Sequence, residues 1–288
     1  MSTKTWESPS FTHRRDGAPS FVRGFARSTW HYRHKRLPYL KRAPAQYLSE
    51  VVRRGIETTD ERRLLAQARG DDDVCWAASD EAEPLVTVRI ATYNRGPLVA
   101  ERAIASAVRQ TYGRLEILVV GDHCDDATER AVMSVKDPRL RFFNLAERGL
   151  YPTDPTLRWM VAGTVPMNAA LAIARGAWIA PCDDDDEITD DHVEVLLREA
   201  RSRRLEFVWS KAAMELEPGI WEDVGRSPLA RGHISHGSVL YAGGLRFFHH
   251  NENSWKLAEP ADWNLWQRMQ AAGVKMGFVE HVTYRHYL

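Results

Sequence analysis

Four consecutive carboxylates, Asp183-Asp184-Asp185-Asp186, follow the apolar run Ala177 to Cys182. Adjacent carboxylates repel one another, and the repulsion is offset only by water or by a cation. Oxygen ligands of this hardness suit Mg²⁺ or Mn²⁺, which typically keep several waters and use one or two carboxylates together with substrate phosphates. The run therefore predicts a divalent cation, Mn²⁺ or Mg²⁺, with a diphosphate as co-ligand. A second reading stays open, in which the run is a solvated acidic loop leading into a helix that begins near Asp190. A calcium loop is excluded, because the sixth position counted from Asp183 is Ile188 where glycine is required. The other acidic triple, Asp71 to Asp73, follows no strand and reads as solvated.

Two further polar clusters fall in comparable places. Thr92-Tyr93-Asn94 follows the strand-like LVTVRI (Leu85 to Ile90), and Gly121-Asp122 follows LEILVV (Leu115 to Val120). Pro97 to Thr111 between them has helical apolar spacing at Ile104, Ala107 and Val108, with Pro97 suited to a first helical turn. A nearly continuous apolar run such as LEILVV predicts a strand buried on both faces of a parallel sheet. Val165 to Arg175 reads as a helix ended by Gly176, Ala177 to Pro181 as a strand, and Asp191 to Arg203 as a helix. Strands alternating with helices predict an α/β layer fold. In open sheets of that kind ligands sit beyond the carboxyl ends of the strands, where all three clusters fall. Asp262 precedes Leu265 and Met269, spaced for one helix face, with Gly273 as terminator. On its spacing alone it reads as a helix N-cap, a role that does not exclude a second one.

The 39 Lys plus Arg balance 39 Asp plus Glu, but the balance is uneven along the chain. Met1 to Arg54 holds twelve basic residues against three acidic ones, with aromatics interleaved. Such a segment suits an anionic membrane surface, nucleic acid, or an extension packed on the main domain. The chain divides at Pro84 into residues 1–83, a basic, partly helical N-terminal extension with an acidic linker from Gly70 to Glu83, and residues 84–288, an α/β domain. No apolar window is long enough for a membrane-spanning helix, and the N-terminus lacks a signal-peptide pattern, so a cytoplasmic location is expected. Cys75, Cys124 and Cys182 are scattered and odd in number, which fits buried thiols in a reducing compartment.

Four motifs in order, VTVRIATYNR, SAVRQTYGRLEILVVGDHCDDAT, MNAALAIARGAWIAPCDDDDEITDDH and ADWNLWQRMQAAG, resemble family 2 glycosyltransferases of the GT-A fold from Pro84 to Leu288. The resemblance implies a metal-dependent, inverting transfer of a sugar from a nucleotide diphosphate sugar to a hydroxyl of a glycan, a lipid-linked or another acceptor, in cell-surface glycan or glycoconjugate synthesis. It implies Asp183 and Asp184 at the donor, Asp185 with Asp183 at the metal, Thr92, Tyr93 and Asn94 around the base, and Asp122 on the pyrimidine N3–H. A carboxylate only accepts, which favours uracil or thymine over cytosine and points to a UDP-sugar. Asn168 matches a donor-facing position, but Met167 stands where the family often has Arg, leaving Arg148, Arg158 or the N-terminal segment to supply the diphosphate's positive partner. Asp262 matches the catalytic base, although Ala261 precedes it where many relatives have Glu. His286 matches a C-terminal histidine that some GT-A enzymes use as a metal or phosphate ligand.

The late histidines His233, His236, His249 and His250 have no zinc spacing and read as solvated or satisfied loop residues. Trp255, Trp263 and Trp266 suit either sugar stacking or core packing. Three alternatives remain open. A sugar-phosphate nucleotidyltransferase would carry a glycine-rich loop after the first strand, where Ala91 to Gly96 has one glycine. A catalytically inactive nucleotide-sugar binding protein or scaffold would use the basic segment as its working surface, and nucleic acid is the least favoured partner.

Overall fold

The computed structural model describes residues 44–70 and 82–288. The basic segment up to residue 43 and most of the acidic linker lie outside the described residues. A helix, α1 (Pro44–Gly70), precedes the first strand, β1 (Val86–Thr92). Two short helices, α2 (Gly96–Val99) and α3 (Ala105–Val108), are joined by a π-helical stretch at Ala100–Ile104. Then come β2 (Leu115–Gly121), α4 (Asp126–Ser134), β3 (Leu140–Asn144), α5 (Pro155–Trp159), α6 (Thr164–Ile173), β4 (Trp178–Asp183), the two-residue β5 (Glu187–Ile188) and α7 (His192–Ser202). The chain closes through β6 (Phe207–Glu217), β7 (Ile220–Val224), β8 (Val239–Ala242), α8 (Ala261–Ala272) and β9 (Met276–His286). Among the described residues no helix is long and apolar enough to cross a membrane.

The strands form one sheet in the order β3-β2-β1-β4-β8-β6-β9-β5, with β7 added to β6. The first half is parallel: β1 pairs β2 and β4, and β2 pairs β3. The second half is mixed, with β8 antiparallel to β4 and β6, and β9 parallel to β6. Every residue of β2 is buried, as its apolar run predicts for a strand covered on both faces. Helix α6 lies across β1 and β2, and α7 across β6, β8 and β9. Val88, Ile90, Ile117, Val119, Trp178, Leu196, Phe207 and Trp266 are fully or almost fully enclosed in the resulting core.

Register then places the chemistry. Thr92 pairs with Gly121 across β1 and β2, and Ala91 with Asp183 across β1 and β4. The carboxyl ends of three adjacent parallel strands are thus level, and all three polar clusters fall on one edge. Helix α8 ends at Gly273, whose φ of +96° is a conformation open to glycine. Its start differs from the sequence expectation. Pro260 is the N-cap and Asp262 lies in the first turn, so the capping role expected of Asp262 is not the one the helix uses.

Candidate active site

The acidic run leaves β4, turns, and returns as β5, which pairs antiparallel with the end of β9 through Glu187–Arg285 and Ile188–Tyr284. Each carboxylate then has its own surroundings. Asp183 accepts from Nδ1 of His236 at 2.7 Å and from the Tyr284 hydroxyl at 3.1 Å. Asp184 accepts from the Thr92 hydroxyl at 2.8 Å. Asp185 pairs with Arg95 at 2.7 Å, and its backbone carbonyl accepts from Arg102 at 2.7 Å. Asp186 is fully buried and accepts from the Tyr284 hydroxyl (2.6 Å), His286 Nδ1 (2.7 Å) and the Tyr287 amide (2.9 Å). It anchors the run, while Asp183, Asp184 and Asp185 line a cavity of about 1010 Å³. Tyr284 reaches both ends of the run because Gly237 gives way: a Cβ there would sit 2.0 Å from the tyrosine ring.

The charges of the run are unevenly compensated. Burial pushes Asp184 up to about 6, with Asp185 and Asp183 adding repulsion against the help of Thr92 and Arg95. Burial also raises Asp185, and Asp186 adds to it. Asp183 behaves oppositely: burial opposes its charge, but the His236 hydrogen bond and the positive charges nearby hold its carboxyl well below the usual range. The Asp186 bond pushes His286 up to about 9.

His236 is a satisfied loop histidine, as expected, but its partners place it in the site. Its Nε2 lies 2.9 Å from Nη2 of Arg89, a fully buried residue of β1. A guanidinium only donates, so Nε2 must accept, and the ring proton stands on Nδ1, directed at Asp183. Arg89 thereby fixes the tautomer that orients Asp183. The sequence carried a signal for this residue, because an arginine inside an otherwise apolar strand needs a buried partner. Arg95 and Tyr284 gave no comparable signal. His250 departs from expectation: it is 3% exposed, lines the same cavity 6.0 Å from the His236 ring, and burial holds it neutral, well below its usual range. His249 is exposed, as expected.

The remaining expected residues divide. Tyr93 lines the cavity and carries the Arg148 guanidinium 3.6 Å above its ring. Asp122, 2% exposed, accepts from the Gly149 amide and the Tyr151 hydroxyl, both at 2.8 Å, and each oxygen retains a second acceptor site. Asn94 instead takes a left-handed turn, with φ of +50°, and accepts from the Asp125 amide. Asn168 clasps the backbone of His250, donating to its carbonyl at 3.0 Å and accepting from its amide at 2.8 Å. Neither Asn94 nor Asn168 is among the residues lining the cavity. Arg148, Arg158 and Met167 all line it, as do Asp262 and His286. Asp262 Oδ1 accepts from the Trp263 amide at 2.7 Å, and burial raises its carboxyl. Trp263 and Trp266 border the cavity, and Trp266 is also fully buried in the core. Among the described residues no three His, Cys, Asp or Glu side chains converge as a ready-made metal cage.

A sheet with level polar strand ends, an acidic turn after β4 and a large cavity over both defines a GT-A architecture. The model of the family described as glycosyl transferase family 2 matches residues 87–152 and 165–215 of the chain. The succinoglycan biosynthesis protein ExoO of Rhizobium meliloti is 34% identical over 117 residues, which cover 41% of this chain and 30% of that protein. The chain thus spans less than a third of that relative's length. Among solved structures, residues 1–349 of S. aureus TarS match with a TM-score of 0.54 at 16% identity, covering 70% of this chain and 60% of that one. The mannosyltransferase PcManGT of Pyrobaculum calidifontis, solved with GDP-Man and Mn²⁺, matches with a TM-score of 0.53 at 18% identity, covering 85% and 67%. At these identities the likeness is one of fold.

Proposed function

We propose that the chain is a metal-dependent inverting glycosyltransferase that uses a nucleotide diphosphate sugar, with a UDP-sugar preferred. The observation that carries this reading is the meeting of Tyr93, Asp122, Asp183, Asp184, Asp185 and Asp262 around one cavity, although they come from three strand ends and from a helix that follows the last of them by more than 70 positions. Tyr93 offers a ring face to the base and Asp122 an acceptor to a pyrimidine N3–H. TarS, of the same fold, is solved in complex with UDP-GlcNAc, which supports a nucleotide-sugar donor without fixing the nucleotide.

The donor set fits a divalent cation. Burial first, and repulsion from neighbouring carboxylates second, raise both Asp184 and Asp185 against the help of Arg95, and the exposed share of Asp185 is the largest of the four side chains. Asp185 and Asp183 would hold the ion, with His286 on the same wall. Such an ion supplies Lewis-acid stabilisation of charge growing on the leaving diphosphate. The chain's own residues do the rest. Arg148 and Arg158 bring positive charge to the diphosphate where Met167 brings none. Arg89 and His236 hold Asp183 ionised and in one orientation. Asp262, raised by burial, takes the proton of the acceptor hydroxyl as that oxygen attacks the anomeric carbon from the face opposite the diphosphate. One displacement inverts the configuration.

Calorimetric titration of UDP, dTDP and GDP, each with and without Mn²⁺, tests the donor half of this reading. UDP or dTDP is expected to bind with metal, more weakly after Asp185→Ala. Binding of no nucleotide under either condition refutes it.

A further inference from the structure

The N-terminal half of helix α1 is amphipathic in the reverse of the usual sense, whereas further along Leu65 packs into the core. Its charged residues between Pro44 and Thr59 all face the protein. Arg53 bonds Glu50, Glu57 and Asn251, Arg54 forms a two-pronged contact with Glu259 at 3.1 Å, and Lys256 reaches Glu50 at 3.5 Å. Glu50 is only 6% exposed. The opposite face is apolar and open: Leu48, Val52 and Ile56, at i, i+4 and i+8, are 61%, 63% and 60% exposed, and Val51 beside them is 42% exposed. A surface helix normally turns such a stripe inward, so an outward one marks a contact surface.

The sequence supplies the second observation. The 43 residues before this helix carry ten Lys or Arg against two acidic residues, with Phe21, Phe25, Trp30, Tyr32 and Tyr39 among them. An apolar helical stripe entered from a strongly basic, aromatic-rich segment has the chemistry of an anionic bilayer interface. We propose that the outer face of α1 docks on anionic phospholipid, with Leu48, Val51, Val52 and Ile56 entering the acyl boundary. The inner face of α1 grips Asn251 and Glu259, which flank the cavity residues His250 and Pro260. A bilayer on the outer face therefore lies about one helix diameter, ~10 Å, from that wall of the active site, where an acceptor carried by a lipid would be presented.

Flotation of the full chain with vesicles tests this. Vesicles of phosphatidylcholine containing about one-third phosphatidylglycerol should bind it, and pure phosphatidylcholine should not, with binding weakening as salt rises. Val52→Glu with Ile56→Glu should reduce partitioning by at least about tenfold, while the thermal transition and nucleotide binding, read on the same samples, stay at wild-type values. Absence of binding to anionic vesicles overturns the proposal, as does equal binding of the double variant. So does sedimentation showing that the chain self-associates and that the same substitutions dissociate it, since a second copy would then cover the stripe. Nucleotide binding reports separately on the proposed donor site, so failure of one reading leaves the other visible.

Discussion

Replacing Asp262 by Asn isolates the proposed base. Asp262 Oδ1 accepts from the Trp263 amide at 2.7 Å, and the amide oxygen of Asn can accept the same bond, so the first turn of α8 keeps its hydrogen bond. No ion pair is lost, and Asp262 is only half-buried, so stability should change by less than about 1 kcal/mol. The chemical step has no such compensation. An amide cannot take the acceptor proton, and loss of a positioned general base reduces the rate by about 10²- to 10⁴-fold, a rise of about 3–5 kcal/mol in the barrier. UDP affinity should stay within about threefold, because the base acts on the acceptor side. Release of UDP from a UDP-sugar, with acceptor or with water, measures the rate. The wild-type pH profile adds a second reading. Asp262 works only when ionised and burial raises its carboxyl, so the rate should fall with decreasing pH at a higher pH than an ordinary aspartate would give. The Asn variant should lose that limb. Retention of more than about a tenth of the wild-type rate would refute the base assignment, and an equal loss of UDP binding would assign Asp262 to the donor pocket.

Two other outcomes follow from the same structure. Tyr93→Ala should weaken UDP binding by about 1–3 kcal/mol, the worth of one base-aromatic stack; calorimetry showing unchanged affinity would remove Tyr93 from the base site. Burial pushes His192 down to about 4 from 6.5, outweighing its bond to Thr283 and the nearby charge of Asp191. Because the fold holds the neutral ring, the unfolded chain gains the proton first. Stability is therefore complete above pH 6.5 and falls as pH drops toward 4, by about 3 kcal/mol in all. Urea unfolding from pH 7 to pH 4 should show this slope, and His192→Asn should flatten it; an unaltered slope would refute the assignment.

The apolar runs of β1, β2 and β4 and the spacing of α3, α6 and α7 were legible because period and punctuation are local properties. The acidic turn was legible for the same reason, as four like charges in a row demand an explanation where they stand. Pairings between distant residues were not. His236 lies 53 positions from Asp183 and 147 from Arg89, and nothing near it in the sequence distinguishes it from His233 or His249. Asn168 shows the converse: its place beside the donor motif suggested a ligand contact, but the packing of the 249–253 segment claims both ends of its amide. The β8, β6, β9 half of the sheet was equally hidden, since mixed pairing leaves no alternating strand-helix rhythm.

The anchoring of Asp186 has a consequence for when the site comes into being. Three of its partners, Tyr284, His286 and Tyr287, lie 98 to 101 positions downstream, and β9, which carries two of them, is an interior strand that β5 joins only by pairing with it. Contacts of such separation form late, after the loop entropy between them has been overcome. Until β9 is seated, Asp186 has none of these three donors and the acidic turn lacks the strand partner that sets its shape. Under the proposed function, competence then requires completed folding, because a chain without β9 in place lacks three donors to Asp186 and the strand that pairs with the acidic turn.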